Sequence, residues 1–202
     1  EDTMQTTILS RIFLGLGVIA IALTAGSASP GSLAQQRVRA DAKPLTLAVD
    51  VATDASSFRF GRETTLLEAR RGDTFIVEGR IYPAGTIEPG GSLEAPGPFD
   101  PTSASGSIGT WVLRGTFNHD FTEILAGASP FVFGTQYFLF DDGRVLVSEG
   151  GHGGPPQLRT INGGAGELSG ATGEVLEEIM GVNATGLFNQ RFTFQIKKQS
   201  IR

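Results

Sequence analysis

The sequence predicts an all-β protein, an eight-stranded antiparallel β-barrel preceded by an N-terminal signal segment. Glycine contributes 28 of the 202 residues, which is about twice its usual share and suits short strands joined by tight turns. About eight segments show the apolar and polar alternation of strands, and no convincing helical pattern follows the N-terminal segment. A closed barrel is favoured because closure removes the exposed edges of such a sheet.

Composition narrows the chemistry before any motif is considered. The net charge is −5 and cysteine is absent, so disulfides and thiolate metal sites are excluded. Lysine and arginine form no cluster, so nucleic acid is not an expected partner. The two histidines lie far apart in sequence, at 119 and 152, and do not suggest a metal site. We therefore expect no metal and no cofactor.

The N-terminal region has the pattern of an export signal. Residues 12–25 are apolar or small and follow Arg11; this run is shorter than the ~20 residues that span a bilayer and fits the core of a signal peptide. Small residues at 32–34 suit a signal peptidase. We predict a signal peptide or membrane anchor at 1–34, a linker at 35–44 and the barrel at 45–202. The protein is then periplasmic or extracellular, and it contacts a membrane only through residues 12–25 if they are retained.

The first half of the domain predicts three strands and one long loop. Residues 45–51 alternate, and residues 73–82 place Phe75 and Val77 on one face with Glu78 and Arg80 on the other. Pro83 ends that strand because proline cannot donate to the ladder. The stretch 83–109 is rich in proline and glycine and predicts a long loop, either a cover over the barrel mouth or a surface loop. Residues 110–117 then alternate again.

The second half predicts five more strands. Residues 131–140 are apolar on both faces and need cover on both sides. The turn at 141–143 leads to a returning strand at 144–148, followed by strands at 157–162, 174–182 and 188–196. On the last of these, Phe192 and Phe194 share a face. The glycines between 163 and 173 predict turns and bulges, because Ser169 stands where a dinucleotide fingerprint needs glycine and no helix follows.

The segment from 141 to 174 resembles the allene oxide cyclase and dirigent superfamily. The resemblance is carried by Gly163-Gly-Ala-Gly166, Leu168 and Gly170-Ala-Thr-Gly173, by Gly72-Asp73 at a strand start, and by the terminal Phe192-Thr-Phe194. It implies a calycin-like barrel of eight strands, often trimeric, with a hydrophobic cavity. Plant members cyclise an unsaturated fatty-acid epoxide or steer the coupling of phenoxy radicals.

The candidate site residues depend on which strand faces point inward. Glu78 and Arg191 are the candidate catalytic side chains, because a carboxylate buried inside the barrel acquires a raised pKa suited to proton transfer. If Phe192 and Phe194 fill the core, Arg191 faces outward instead. Trp111, Tyr137 and Arg80 are the candidate ligand-binding residues. His152 falls in the glycine-rich stretch 150–156, which we expect to be too mobile to hold a base.

Three functions remain open from the sequence. The first is an exported barrel that binds a hydrophobic small molecule. The second is a cyclase, isomerase or dirigent-like protein that restrains a hydrophobic substrate. The third is a structural subunit that packs through the strand at 131–140, as a homo-oligomer (a trimer by the resemblance) or against other subunits. Whether the protein is an enzyme is left open.

Overall fold

The computed structural model describes residues 44–198, in which eight antiparallel strands close into a barrel. The sheet follows chain order except that β1 pairs with both β9 and β3, which closes the ring. A two-residue strand, β2, adds to β3 near one rim. The eight-stranded antiparallel barrel is therefore confirmed. The strands are β1 (Leu45–Thr53), β2 (Arg59–Phe60), β3 (Thr74–Pro83), β4 (Gly109–Phe117), β5 (Val132–Phe140), β6 (Val145–His152), β7 (Gln157–Ala165), β8 (Ala171–Val182) and β9 (Phe188–Lys198).

Short helical turns connect the strands. Single 3-10 turns occur at Ala55–Ser57, Leu66–Glu68 and Gly166–Leu168, and one α-helix, α1, spans Phe121–Leu125. Within residues 44–198, no helix is long and apolar enough to cross a membrane. The predicted signal segment and linker lie outside the described residues, apart from Pro44, so their cleavage and the export of the protein stay predictions.

The inward faces of the strands form one aromatic and aliphatic core. Phe192 and Phe194 of β9 are fully buried, and both pack edge-on against Phe138 of β5, with ring centroids 5.0 and 4.9 Å apart. The alternation of β3 is also as predicted, with Phe75 and Val77 inside. The apolar face of β9 therefore points into the barrel and Arg191 points out.

The glycines between β7 and β8 serve backbone geometry. Gly173 at the start of β8 has a φ of 137°, and a Cβ atom there would collide with the carbonyl oxygen of Gln195 on β9. A glycine is needed where two strands approach this closely. The run therefore acts as a turn and a close strand contact in an all-β setting, as predicted from its sequence context.

The loop after β3 folds against the outer wall of the barrel. We call residues 84–108 the flap. The buried Asp50 of β1 accepts hydrogen bonds from the backbone N–H groups of Gly85 (2.8 Å) and Ile87 (3.1 Å). Further along, the N–H of Gly90 donates to the carbonyl of Met180 on β8 (2.9 Å). The sequence predicted either a cover over the barrel mouth or a surface loop. Most of the flap is a surface loop that is hydrogen-bonded to the barrel wall.

The expectation of a mobile loop around His152 was wrong. β6 continues through His152, with Val132 of β5 opposite it and Gly150 opposite Gly134. Gly150 has a φ of 147°, and a Cβ atom there would lie 3.4 Å from Cγ of Arg159. Gly150 is therefore explained by its positive φ inside a paired strand, a conformation that other residues rarely adopt.

Candidate functional site

One end of the barrel contains an apolar cavity of about 250 Å³. It lies where β1 and β6 end and β5 and β9 begin. Phe58, which follows the first 3-10 turn, Leu66 of the second 3-10 turn and side chains of helix α1 also line it, whereas the flap contributes only Leu93. The lining is mostly aliphatic and aromatic, and includes Phe58, Leu66, Phe75, Leu113, Ile124 and Phe131.

His152, which lines this cavity, contacts a buried carboxylate behind it. Nδ1 of His152 lies 2.8 Å from Oε1 of Glu177 on β8, and both side chains are almost completely buried. Nε2 of Gln136 donates to Oε2 of Glu177 (2.9 Å), and the backbone N–H of Gly153 donates to Oε1 (3.1 Å). The carboxylate therefore has several donors around it, and it fixes the orientation of the imidazole ring.

A buried arginine completes the charge balance under the histidine. The side chain of Arg159 on β7 is 0% exposed, and its Nε lies 4.0 Å from Oε2 of Glu177. Its guanidinium donates to the backbone carbonyls of Gly134 (2.6 Å), Gly150 (3.0 Å) and Gly151. Burial lowers the pKa of Arg159, whereas the negative charges of Glu177 and Glu149 raise it by a smaller amount. Arginine stays protonated in proteins.

These neighbours keep Glu177 ionised. Burial by itself raises the pKa of Glu177, but the charge and hydrogen bond of His152, the charge of Arg159 and the Gly153 N–H together outweigh it, so the pKa lies below its ordinary value. An ionised carboxylate only accepts hydrogen bonds, so Nδ1 of His152 is the ring nitrogen that donates to Glu177. Nε2, the other ring nitrogen, lies 3.5 Å from Nε2 of Gln190.

Three polar atoms of cavity-lining residues are buried without a partner among residues 44–198. They are Nε1 of Trp111, Oγ1 of Thr53 and Oε1 of Gln190. A buried polar group without a hydrogen bond costs about 1–3 kcal/mol. A bound molecule with a matching donor and acceptor would remove that cost. The cavity thus combines a mainly apolar lining with three residues whose buried polar atoms lack partners in the described part of the chain.

The structure places one of the predicted site residues in the cavity. Trp111 is fully buried and lines it. Glu78 and Arg80 lie on the outer face of β3 and are exposed. Tyr137 lies on the outer face of β5 and is 36% exposed. Arg191 lies outside the barrel on β9, where its Nε donates to Oδ1 of Asp50 (2.8 Å).

Sequence reasoning missed Glu177 and Gln190 at this site, and it set His152 aside as part of a mobile loop. Glu177, His152 and Gln190 all occupy core positions of their strands. The available signal was a polar residue at an otherwise apolar position, with Gln190 between Phe188 and Phe192, and Glu177 two residues after the buried Val175. Polar residues that interrupt an inward face are buried, and buried polar groups need partners.

Comparison with known proteins shows which solved structures have a similar fold. No model of a known protein family matches the chain, and no curated protein matches it either. Two solved structures of pterocarpan synthase dirigent proteins are similar to it. PsPTS1 has a TM-score of 0.51 at 15% identity, over 76% of this chain and 93% of that one. GePTS1 has a TM-score of 0.51 at 13% identity, over 79% and 88%. A pyocyanin demethylase aligns at 0.46 and 15% identity, over 76% of this chain and 100% of its own.

The two dirigent matches show a shared fold. At this identity they confirm the dirigent-like barrel that the glycine pattern and strand order suggested, and they assign no activity to this chain. What the cavity does has to be argued from its own residues.

Proposed function

We propose that the barrel binds one small, mainly apolar molecule in the cavity above His152. The observation that carries this proposal is the combination of an apolar chamber with buried polar atoms that lack partners at its lining. Apolar burial supplies binding energy at about 25 cal/mol per Å², and the few polar groups set the orientation. The size of the cavity favours a compact ligand, since ligand pockets usually reach about 300–1,000 Å³.

The polar groups define which end of the ligand points down. The indole N–H of Trp111 only donates, and the orphaned Oε1 of Gln190 only accepts. A ligand end that both accepts and donates, such as a hydroxyl beside a carbonyl, satisfies the two atoms together. The other end then lies among Phe58, Leu66 and Ile124 near the mouth.

Filling the cavity is expected to remove the ligand without unfolding the barrel. Val132 is buried in the cavity lining, so Val132→Phe places a ring in the binding space. We expect ligand occupancy to fall by about tenfold or more, equal to about 1.4 kcal/mol. Native mass spectrometry after mild purification measures the bound mass.

Val147→Phe is the matched control, because Val147 lies on the outer face of β6. That variant should retain the ligand. Equal loss from both variants, or equal retention, would contradict binding in this cavity.

A second proposal, an isomerase or cyclase, is supported by the His152–Glu177 contact. With Nδ1–H held by the carboxylate, Nε2 of His152 is free to accept a proton from a bound molecule. The Trp111 N–H, which has no partner among residues 44–198, is the donor that would hydrogen-bond the negative charge that develops. Return of the same proton to another atom of the molecule completes an isomerisation or a ring closure, and it needs no co-reactant.

Substitution of His152 is expected to stop proton transfer. His152→Gln keeps a polar side chain of similar size and removes the base, so the rate should fall by about 10²–10⁴-fold. Incubation of the recovered ligand with the protein in D₂O, followed by mass analysis, reports exchange at the acidic position.

His119→Gln is the matched control, since His119 is not among the cavity-lining residues. Unchanged exchange in His152→Gln would leave the protein a binding barrel only.

Assembly and export remain proposals. Phe133, Tyr137 and Leu139 form an exposed apolar stripe on the outer face of β5, which supports packing of this strand against a second copy or another subunit. Sedimentation velocity tests the assembly, and N-terminal sequencing of the mature protein tests export.

A further inference from the structure

A second cavity lies outside the barrel, beneath the flap. Its volume is about 480 Å³, and none of its lining residues contributes to the cavity above His152. The flap supplies Thr86, Glu88, Pro89 and Phe99 together with backbone at Gly90 and Gly97, and β9 supplies Asn189 as the floor. The flap is fixed here, because the N–H of Gly97 donates to the carbonyl of Val182 (2.7 Å). The second cavity is therefore a formed pocket between two held elements.

The floor of this pocket carries an unsatisfied hydrogen-bonding group. Asn189 is 2% exposed, and its Oδ1 has no hydrogen-bond partner within residues 44–198. An amide buried with an unused oxygen is costly unless a ligand pairs with it. The orphaned acceptor points to a ligand that donates hydrogen bonds.

The remaining walls favour a positive charge. Glu88 is exposed at the pocket wall and forms no ion pair in the described part of the chain. Phe99 contributes an aromatic ring, and aromatic faces attract cations. A carboxylate, an amide with an unused oxygen and an aromatic ring therefore all belong to residues that line this pocket.

Arg191, a cation near the floor of the pocket, is already compensated. Arg191, two residues beyond Asn189, donates from Nε to Oδ1 of Asp50 (2.8 Å) and from Nη2 to Oδ2 (3.2 Å). This hydrogen bonding raises the pKa of Arg191, with additional contributions from the nearby Glu178 and Glu88. On the far side of the flap, Arg80 and Asp100 lie near Tyr82 with opposite charges. The groups around the pocket therefore leave an excess of negative charge.

We propose that this pocket is a binding site for an organic cation, an alkylammonium or guanidinium group that donates to Asn189 Oδ1 and faces Glu88 and Phe99. The chemistry fits a free amine and equally a lysine or arginine side chain of a peptide. The site is independent of the cavity above His152, so its occupancy does not require that cavity to bind anything.

Benzylammonium and N-acetyl-lysine methylamide are suitable probes of the two sources. In ¹H–¹⁵N spectra of the whole chain, we expect saturable shifts at the Asn189 side-chain amide and at Gly90 and Gly97, with Trp111 unaffected. Benzyl alcohol, which lacks the charge, should bind more weakly. Raising the salt from about 20 to 500 mM should weaken binding through screening. Tighter binding of benzylammonium would indicate a free amine as the ligand, and tighter binding of N-acetyl-lysine methylamide would indicate a lysine side chain of a peptide.

Glu88→Gln keeps the shape of the wall and removes its charge. We expect the affinity for the better probe to fall by about two- to fivefold, the range of an exposed charge pair. Glu94→Gln is the control, because Glu94 belongs to the same flap but does not line the pocket. Asn189→Leu, which removes the acceptor, should abolish the shifts at Gly90 and Gly97.

Three results would overturn the proposal. The first is equal binding of benzyl alcohol and benzylammonium, and the second is unchanged affinity in Glu88→Gln. The third is a shift of the Asn189, Gly90 and Gly97 signals by methyl glucoside, an uncharged polar probe, with no shift by either cation.

Discussion

Replacement of Glu177 by leucine should lower the free energy of unfolding by about 3–5 kcal/mol, the cost of removing one partner from a buried ionic group. The substitution leaves the Arg159 guanidinium buried without the carboxylate that lies 4.0 Å from it. It also removes the acceptor for His152 and for the Gly153 N–H. The leucine gains apolar burial, but those donors remain without their acceptor. Urea denaturation followed by circular dichroism measures the loss.

Two variants separate charge from packing. Glu174→Leu changes the same residue type on the same strand at an exposed position, and it should alter stability by about 0.5 kcal/mol or less. Glu177→Gln keeps the shape of the side chain and removes its charge. The decrease in unfolding free energy of this variant therefore measures the contribution of the charge. A Glu177→Leu variant as stable as Glu174→Leu would show that the buried network is not as described.

Acid should weaken the contribution of Glu177 in a defined direction. Because its pKa in the fold is below the ordinary value of 4.5, the unfolded state binds protons first as the pH falls. The stabilisation is then complete above that value and is lost as the pH falls through the lower, folded-state pKa. The stability difference between wild type and Glu177→Gln should therefore shrink below pH 4.5 and stay constant just above it.

Truncation of Phe192 to alanine should cost about 3–5 kcal/mol of unfolding free energy. The ring is fully buried between Trp111, at a centroid distance of 6.3 Å, and Phe138, at 5.0 Å. Removing it opens a void in the middle of the barrel that the surrounding strands cannot close, because each is held by two neighbours. Loss of an edge-on aromatic pair adds to the cost.

Thr193→Ala is the control for Phe192→Ala. Thr193 is the next residue of β9, half-buried on the opposite face, so the change should be small. Chemical denaturation of the two variants under identical conditions gives the comparison. A larger effect at Thr193 would mean that the inward face of β9 has been assigned to the wrong side.

Much of the barrel could be predicted from local patterns. The alternation at Phe75 and Val77 and at Phe192 and Phe194 identified strands and grouped the residues that face inward, because strand periodicity is a property of the backbone alone. The glycines between 163 and 173 were assigned to turns from their β context. That the sheet closes into a barrel could be inferred only from the number of strands. The closing contact pairs β1 with β3, and the alternation within each strand does not show which strands pair.

The site was harder to predict because its polar residues come from different strands. His152, Glu177 and Gln190 lie on β6, β8 and β9, and only the register of the closed sheet brings them together. His152 was assigned to a loop because its flanking glycines look like loop residues. Glu78 and Arg80 were candidates because they share one strand face, and one sequence does not determine which face of a strand points into the barrel.

The central claim is that the barrel encloses a ligand cavity beside Trp111. Trp111 is the single tryptophan of the chain, so energy transfer from it to 1-anilinonaphthalene-8-sulfonate reports a probe bound next to it. Titration of wild type, Val132→Phe and Val147→Phe tests the claim most directly. We predict saturable transfer with one site in wild type and in Val147→Phe, and its loss in Val132→Phe. Equal transfer in all three proteins, or none in wild type, would contradict the cavity as a binding site.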